Sequence, residues 1–278
     1  MINVATMPLS QDTHEKPQMQ VGTAPVEWQL AHFAPIGLDN MATVKLLNRV
    51  DTKYLMRVDE LETVLGSLRN KYCVLDIAGT RAHYYRTLYF DTPDFGLYMQ
   101  HHNGKRPRYK VRSREYVDTQ LTFLEVKRKR CRRTMKNRMQ TGDLVTRLDW
   151  QAGDFVCEHF PFDVSLLEPR LWNAFRRITL VSVRRPERLT IDIDLQLHWG
   201  KQHVTLPEVA IVEVKQEHYS QASYFVQQMR TLGIRPTSFS KYCAGVELIH
   251  RVKGNRFRSR LREARRLMQR RQDRERVC

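Results

Sequence analysis

Several short stretches of this chain alternate polar and apolar residues, and in four of them the polar set is charged. Arg108, Lys110, Arg112 and Arg114 fall at every second position, with Tyr109, Val111 and Ser113 between them. The same period links Glu125, Lys127 and Lys129, links Glu213 to Lys215, and runs through Arg49, Asp51 and Lys53. A period of two is that of a β-strand, whose residues i, i+2 and i+4 share a face. Strands are therefore predicted over 50–57, 84–90, 108–116, 121–130, 178–183, 188–197 and 209–215. Hairpins are predicted about Asp118 and across Arg185-Pro186-Glu187. In the strand 188–197, Leu189, Ile191, Ile193 and Leu195 are read on one face. Arg188, Thr190, Asp192 and Asp194 are read on the other.

Helical spacing marks fewer segments. Leu61, Val64, Leu65 and Leu68 predict a helix over 60–68 capped by Asp59. A second is predicted over 220–232, closed by Gly233. Others are expected from Asp39 or Asn40 to about Leu47, near 165–175, and after Val252, where Leu261, Ala264 and Leu267 make a thin apolar stripe. Hairpins outnumber any βαβ alternation, so the fold class is α+β. Its expected form is an antiparallel β-barrel enclosing a charged tunnel, with flanking helices. Residues 1–30 are polar and aperiodic and read as a flexible leader, 31–250 as the tunnel domain, and 251–278 as a basic tail.

Charge narrows the choice of partner. The formal net charge is +17, and the tail from 251 onward holds 12 Lys/Arg against 3 Asp/Glu. Such a balance calls for an anion: a nucleotide, polyphosphate, nucleic acid or an acidic membrane surface. The five cysteines are widely spaced without any C-x-x-C pair, which points to reduced thiols, buried or idle, in a cytosolic protein. No apolar run approaches the roughly 20 residues that span a bilayer. Neither a stacking strip of aromatics nor a Gly-rich signature of common RNA modules is present, so no specific nucleic acid is expected.

Taken in order, seven short motifs carry a resemblance. They are Arg49-x-Asp51-x-Lys53-Tyr54, Tyr89-Phe90-Asp91-Thr92, Lys110-Val111-Arg112-x-Arg114-x-Tyr116, Glu125-x-Lys127, Arg188-x-Thr190-x-Asp192, Glu213-x-Lys215 and Ser240-Lys241-Tyr242. Over about 38–250 the chain resembles the VTC domain, the polyphosphate polymerase branch of the CYTH/triphosphate tunnel superfamily. The resemblance implies transfer of the γ-phosphoryl of ATP to a growing inorganic polyphosphate chain, assisted by a divalent metal, Mn²⁺ or Mg²⁺. Triphosphatase and cyclase members of that superfamily open with Glu-x-Glu-x-Lys. Here the place reads Arg49-Val-Asp51-Thr-Lys53, which favours the polymerase branch.

By the same carry-over, Lys53, Arg112, Arg114 and Lys127 are the candidate catalytic residues. Lys110, Arg185, Arg188, Lys215 and Lys241 are candidates for binding the phosphate chain. Arg offers phosphate a bidentate fork and Lys a mobile point charge. Glu213 is the first candidate metal ligand and Glu125 the second. Both carboxylates, with Asp192 and Asp194, also answer to a plainer reading as ion pairs that relieve repulsion among the cations. His101 and His102 read as loop residues. Two other functions stay open: an inorganic triphosphatase, and a non-catalytic module that binds or senses polyphosphate. The expected partners are ATP and polyphosphate, with a membrane protein or an acidic membrane surface as the partner of the tail. The expected location is cytoplasmic, at the inner face of the membrane where the tail engages it.

Overall fold

The computed structural model describes residues 24–41, 49–130 and 133–275. The first helix is α1 (Ala24–Ala31), followed by β1 (Ala34–Ile36), α2 (Leu38–Met41), β2 (Val50–Arg57), α3 (Val58–Leu68) and β3 (Tyr72–Leu75). Then come β4 (Ala82–Asp91), α4 (Gly96–His102), β5 (Arg108–Tyr116), β6 (Leu121–Arg130), β7 (Arg133–Thr141) and α5 (Trp150–His159). The last part runs β8 (Glu168–Ser182), β9 (Glu187–Trp199), β10 (Gln202–Leu206), β11 (Val209–Gln216), α6 (Tyr224–Thr231), α7 (Lys241–Ile249) and α8 (Arg258–Glu275).

One sheet of eleven strands holds the molecule together, in the order β2-β11-β9-β8-β4-β5-β6-β7, with β10 on β9 and β3 on β8. Only the short β1–β3 pair is parallel among the described residues. The sheet curls. Lys53 on β2 donates to the Phe239 carbonyl at 3.0 Å, and Lys110 on β5 donates to Ser240 Oγ at 2.8 Å. Five pairing steps separate those strands, about 24 Å in a flat sheet at roughly 4.8 Å per step. Two side chains that far apart in a flat sheet meet adjacent residues only because the sheet rolls into a tunnel. Backbone pairing leaves the roll open between β7 and β2 among the described residues.

Helices cover both ends of the apolar pattern. α1, α3 and α6 pack on the outer face of β2, β11, β9 and β8, around Met56, Leu61, Leu65, Ile191, Val212 and Phe225. α5 covers the outer face of β4, β5 and β6 through Ala152 and Val156, against Tyr109, Val111, Leu124 and Val126. α7 lies on the inner face, with Tyr242 and Val246 among Leu171, Leu195 and Leu197. Its approach is close. A Cβ on Gly245 meets Leu171 Cδ2 at 2.5 Å and Leu197 Cδ2 at 3.0 Å. Gly245→Val is therefore expected to lower stability by about 1–3 kcal/mol through overpacking, measured by denaturant unfolding.

Several expectations need correction. The segment 165–175 is not a helix: after a 3₁₀ turn at Val164–Leu166 it is the first half of the 15-residue β8. The reading of 1–30 as leader fails over 24–30, which form α1 and bury Val26 and Leu30; its earlier part lies outside the described residues. The helix from Asp39 or Asn40 reduces to α2, and 42–48 lie outside the described residues. α3 starts two residues before the expected 60, at Val58. The Arg57 N–H donates to Glu60 Oε2 at 3.0 Å, while Asp59 pairs with the Arg57 guanidinium.

The expected two faces of β9 also break at one point. Asp194 has φ +55°, and the register between β8 and β9 shifts there. This bulge turns Leu195 and Leu197 inward to α7, while Leu189, Ile191 and Ile193 stay outside. Asp194 points away from Asp192 and binds Arg176 on the outer side at 2.7 Å.

Candidate functional site

The strand register sets cations in rows across the inner face. On one wall Lys110, Lys127 and Lys136 lie side by side on β5, β6 and β7, and Arg112, Glu125 and Arg138 form the next row. On the opposite wall Lys53, Glu213 and Thr190 form one row, and Asp51, Lys215 and Arg188 another. Apolar alternates of the same strands fill the cores outside, so burial of one face fixes the charges on the other.

Three carboxylates neutralise part of this charge. Glu125, with no exposed surface, takes Arg112 at 2.5 Å on one oxygen and Lys136 on the other. Asp192 takes Arg177 through both oxygens, at 2.6 and 2.8 Å, and also Lys241. Glu213 holds Lys215 at 2.6 Å. Lys53, Lys110, Arg114, Lys127 and Arg188 have no carboxylate in ion-pair contact among the described residues. Arg114 is buried with only Thr87 Oγ1 as hydrogen-bond partner among the described residues, at 3.1 Å.

Electrostatics record the crowding. Burial, with Arg112 and Arg114 beside it, pushes the Lys127 ammonium well below the usual lysine range. Burial also pulls Lys215 and Lys241 down, each to about 8, although Glu213 and Asp192 oppose it. Burial alone raises the Tyr89 phenol, but Arg112, Lys110 and Arg114 bring it down to about 8. Burial raises the Glu213 carboxyl, yet Lys53 and Lys215 outweigh it and hold the group well below the carboxylate range. The site is a desolvated excess of cations over the carboxylates that pair with them among the described residues.

A family profile for the VTC domain matches residues 48–250. The chain belongs to the VTC domain family. No curated protein matches it at a significant level. Solved structures similar to this VTC-domain protein include a candidate adenylate cyclase from Bacillus halodurans, at 15% identity and TM-score 0.44, covering 69% of this chain and 95% of that one. A candidate adenylyl cyclase from Hippeastrum with a dominant triphosphatase activity is 13% identical at TM-score 0.46, covering 71% and 96%. A conserved hypothetical protein from Pyrococcus furiosus is 13% identical at TM-score 0.40, covering 72% and 99%.

Within this VTC domain, Lys53, Lys110, Arg112, Arg114, Lys127, Arg188, Lys215 and Lys241 all meet in the tunnel. Arg185 does not: it sits exposed in the turn between β8 and β9, which leaves Arg188 as the chain-binding candidate of that pair. His101 and His102 belong to α4 rather than a loop. Burial and the nearby Lys110 push the His101 imidazole down to about 2, so it stays neutral. Sequence reasoning misses Arg177 and Lys136. Arg177 follows the segment read as helix, and the strand that carries Lys136 is not among those predicted. An aromatic floor is missed as well: Tyr85, Tyr89 and Phe175 underlie the cations.

The donor set decides what metal the site fits. No group of three or more His, Cys, Asp or Glu side chains among the described residues is placed to hold an ion. Glu125 and Asp192 have both oxygens in contact with cations, which fits the plainer reading of Glu125 as an ion-pair partner. Glu213 is different. One oxygen meets Lys215, the other takes no partner among the described residues, and the side chain is 22% exposed. That arrangement fits a divalent cation held by one carboxylate and by substrate phosphates, the usual way for Mg²⁺.

Proposed function

We propose that this VTC-domain protein is an ATP-dependent polyphosphate polymerase. The observation that carries the reading is the set of partly or wholly buried tunnel cations, Lys53, Lys110, Arg114, Lys127 and Arg188, without carboxylate partners among the described residues. Phosphoryl transfer needs little covalent work from a protein; it needs in-line positioning and stabilised charge on phosphoryl oxygens. Arg112, Arg114 and Lys127 on one wall and Lys53 on the other grip the triphosphate. A terminal phosphate oxygen of the acceptor attacks the γ-phosphorus, the bond to the β–γ bridging oxygen breaks, and ADP leaves. Lys110, Arg188, Lys215 and Lys241 hold the chain in register for the next addition. A divalent cation, Mn²⁺ or Mg²⁺, would neutralise phosphate oxygens, with Glu213 as the carboxylate holding it.

One contact favours synthesis over hydrolysis of triphosphate. Asp51, the remaining carboxylate of the Glu-x-Glu-x-Lys place, pairs with Arg49 at 2.9 Å. The basic tail supports an acidic membrane surface as a further partner. α8 spends Leu261 and Ala264 on the body and leaves Arg258, Arg262, Arg265 and Arg266 exposed. Its contact with lipid would be electrostatic rather than inserted. No helix among the described residues is long and apolar enough to cross a membrane.

The test is incubation of purified protein with ATP and Mn²⁺, with products resolved by gel and ³¹P NMR. Phosphoanhydride chains with ADP are expected. Orthophosphate alone would make it a triphosphatase, and tight polyphosphate binding without turnover would make it a sensor.

Tripolyphosphate affinity should fall between pH 7 and pH 9. Lys215 and Lys241 titrate near 8 in the free protein, and a bound anion needs them charged. Stability of the free protein should move the other way. Their folded values lie below the unfolded 10.5, so between about 8 and 10.5 the unfolded chain holds more protons and rising pH favours folding. Calorimetric titration and thermal melting across that range read the two trends.

A further inference from the structure

The tunnel cations stand on aromatic rings, and three of them converge on one. Lys241 Nζ lies 4.2 Å from the Phe175 ring centroid, Arg177 Cζ 5.2 Å and Arg114 Cζ 5.8 Å. Tyr85 stacks beside Phe175, with centroids 5.3 Å apart and planes at 10°. It extends the platform under Arg177 and Arg114, at 5.1 and 5.5 Å. The three cations come from α7, β8 and β5, elements distant in sequence. Asp192 is the one carboxylate engaging them among the described residues, through Arg177 and Lys241. Three positive charges against one negative leave an excess of two, the charge of a terminal phosphate at neutral pH.

We propose that Phe175 is a positioning residue whose ring gathers Arg114, Arg177 and Lys241 into one subsite for a single phosphoryl group of a polyphosphate-class anion. This deepens the polymerase reading and rests on it. A ring does here what a second carboxylate would not. Its quadrupole attracts the cations and holds them in place, yet leaves their charge and their N–H donors for an incoming oxygen. Phe175 has no exposed surface, so it also keeps water from beneath the subsite.

Stepwise fluorination of Phe175 isolates the quadrupole, because it drains the ring face while hardly changing its shape. Mono-, di- and trifluorophenylalanine are introduced at position 175 of the full chain, and tripolyphosphate binding is followed by calorimetry from pH 7 to pH 9. At pH 8 affinity should fall steadily along the series, by about tenfold in all. The pH at which half the affinity is lost should move down, since Lys241 gives up its proton sooner. Phe175→Leu should lose as much as the trifluoro form. A flat series, with unmodified protein binding tripolyphosphate normally, overturns the role of Phe175 and leaves the polymerase reading standing. Failure of the unmodified protein to bind tripolyphosphate overturns both.

Discussion

Glu125→Gln is expected to cost about 3 kcal/mol or more of folding stability, the penalty for removing one partner of a buried ion pair. Glu125 is wholly buried and bridges Arg112 on β5 to Lys136 on β7. Burial alone would raise its carboxyl, but Arg112, Arg114 and Lys136 overcome that and hold it far below the carboxylate range. An amide of the same shape keeps the packing and loses the charge, so two guanidinium groups and two ammonium groups face one another uncompensated. Urea unfolding at pH 7 reads the loss. Acid should erase the difference between the proteins. A depressed carboxyl contributes stability that is present above its unfolded value and lost as pH falls, so the natural protein weakens below about pH 4.5 and converges on the variant. Tripolyphosphate should raise the melting temperature of the variant more than that of the natural protein, because the ligand brings the missing negative charge. Equal stability of the two proteins at pH 7 would mean that Glu125 adds nothing to the wall.

Much of that wall is legible in the sequence. Strands at 50–57, 108–116, 121–130 and 209–215 are visible because charge and apolar character alternate there with period two, and each pairs as a strand in the sheet. Four of the seven motifs that carry the VTC resemblance fall on or at the edge of those same strands, and the family profile matches the stretch that holds them. The failures share a physical origin. Leu167, Leu171 and Phe175 are spaced by four, which suits a helix stripe but is also an even number, so a strand presents its members on one face too. Leu171, Asn173 and Phe175 do line the inner face of β8, opposite Leu197 and Thr87. Reading 165–175 as a helix hides Phe175 and, just beyond it, Arg177. The start of α7 is hidden differently. Ser240-Lys241-Tyr242 reads as a motif, although Ser240 is an ordinary cap that accepts from the Cys243 N–H at 3.2 Å. The reversal of faces at Asp194 has no local signal, since a positive φ at a residue other than glycine is not written in alternation.

Glu213→Gln is expected to abolish polyphosphate synthesis and leave polyphosphate binding intact or tighter. The two outcomes separate because one Glu213 oxygen meets Lys215 and the other takes no partner among the described residues, in a row with Lys53 and Thr190. Binding depends on the cation excess, which rises when a negative charge is removed. Turnover depends on stabilising charge that develops on the transferred group, and loss of one such element lowers kcat by roughly 10²–10³-fold. The substituted amide still accepts from Lys215, so the wall keeps its shape. The Lys215 ammonium, supported by Glu213 against burial, should lose its proton at a lower pH, and affinity should begin its alkaline fall earlier. Single-turnover kinetics with ATP and Mn²⁺, beside calorimetric titration with polyphosphate, distinguish the terms. Reduced binding with unchanged kcat would place Glu213 among the ion pairs that hold the tunnel open. Unchanged activity would remove it from the site.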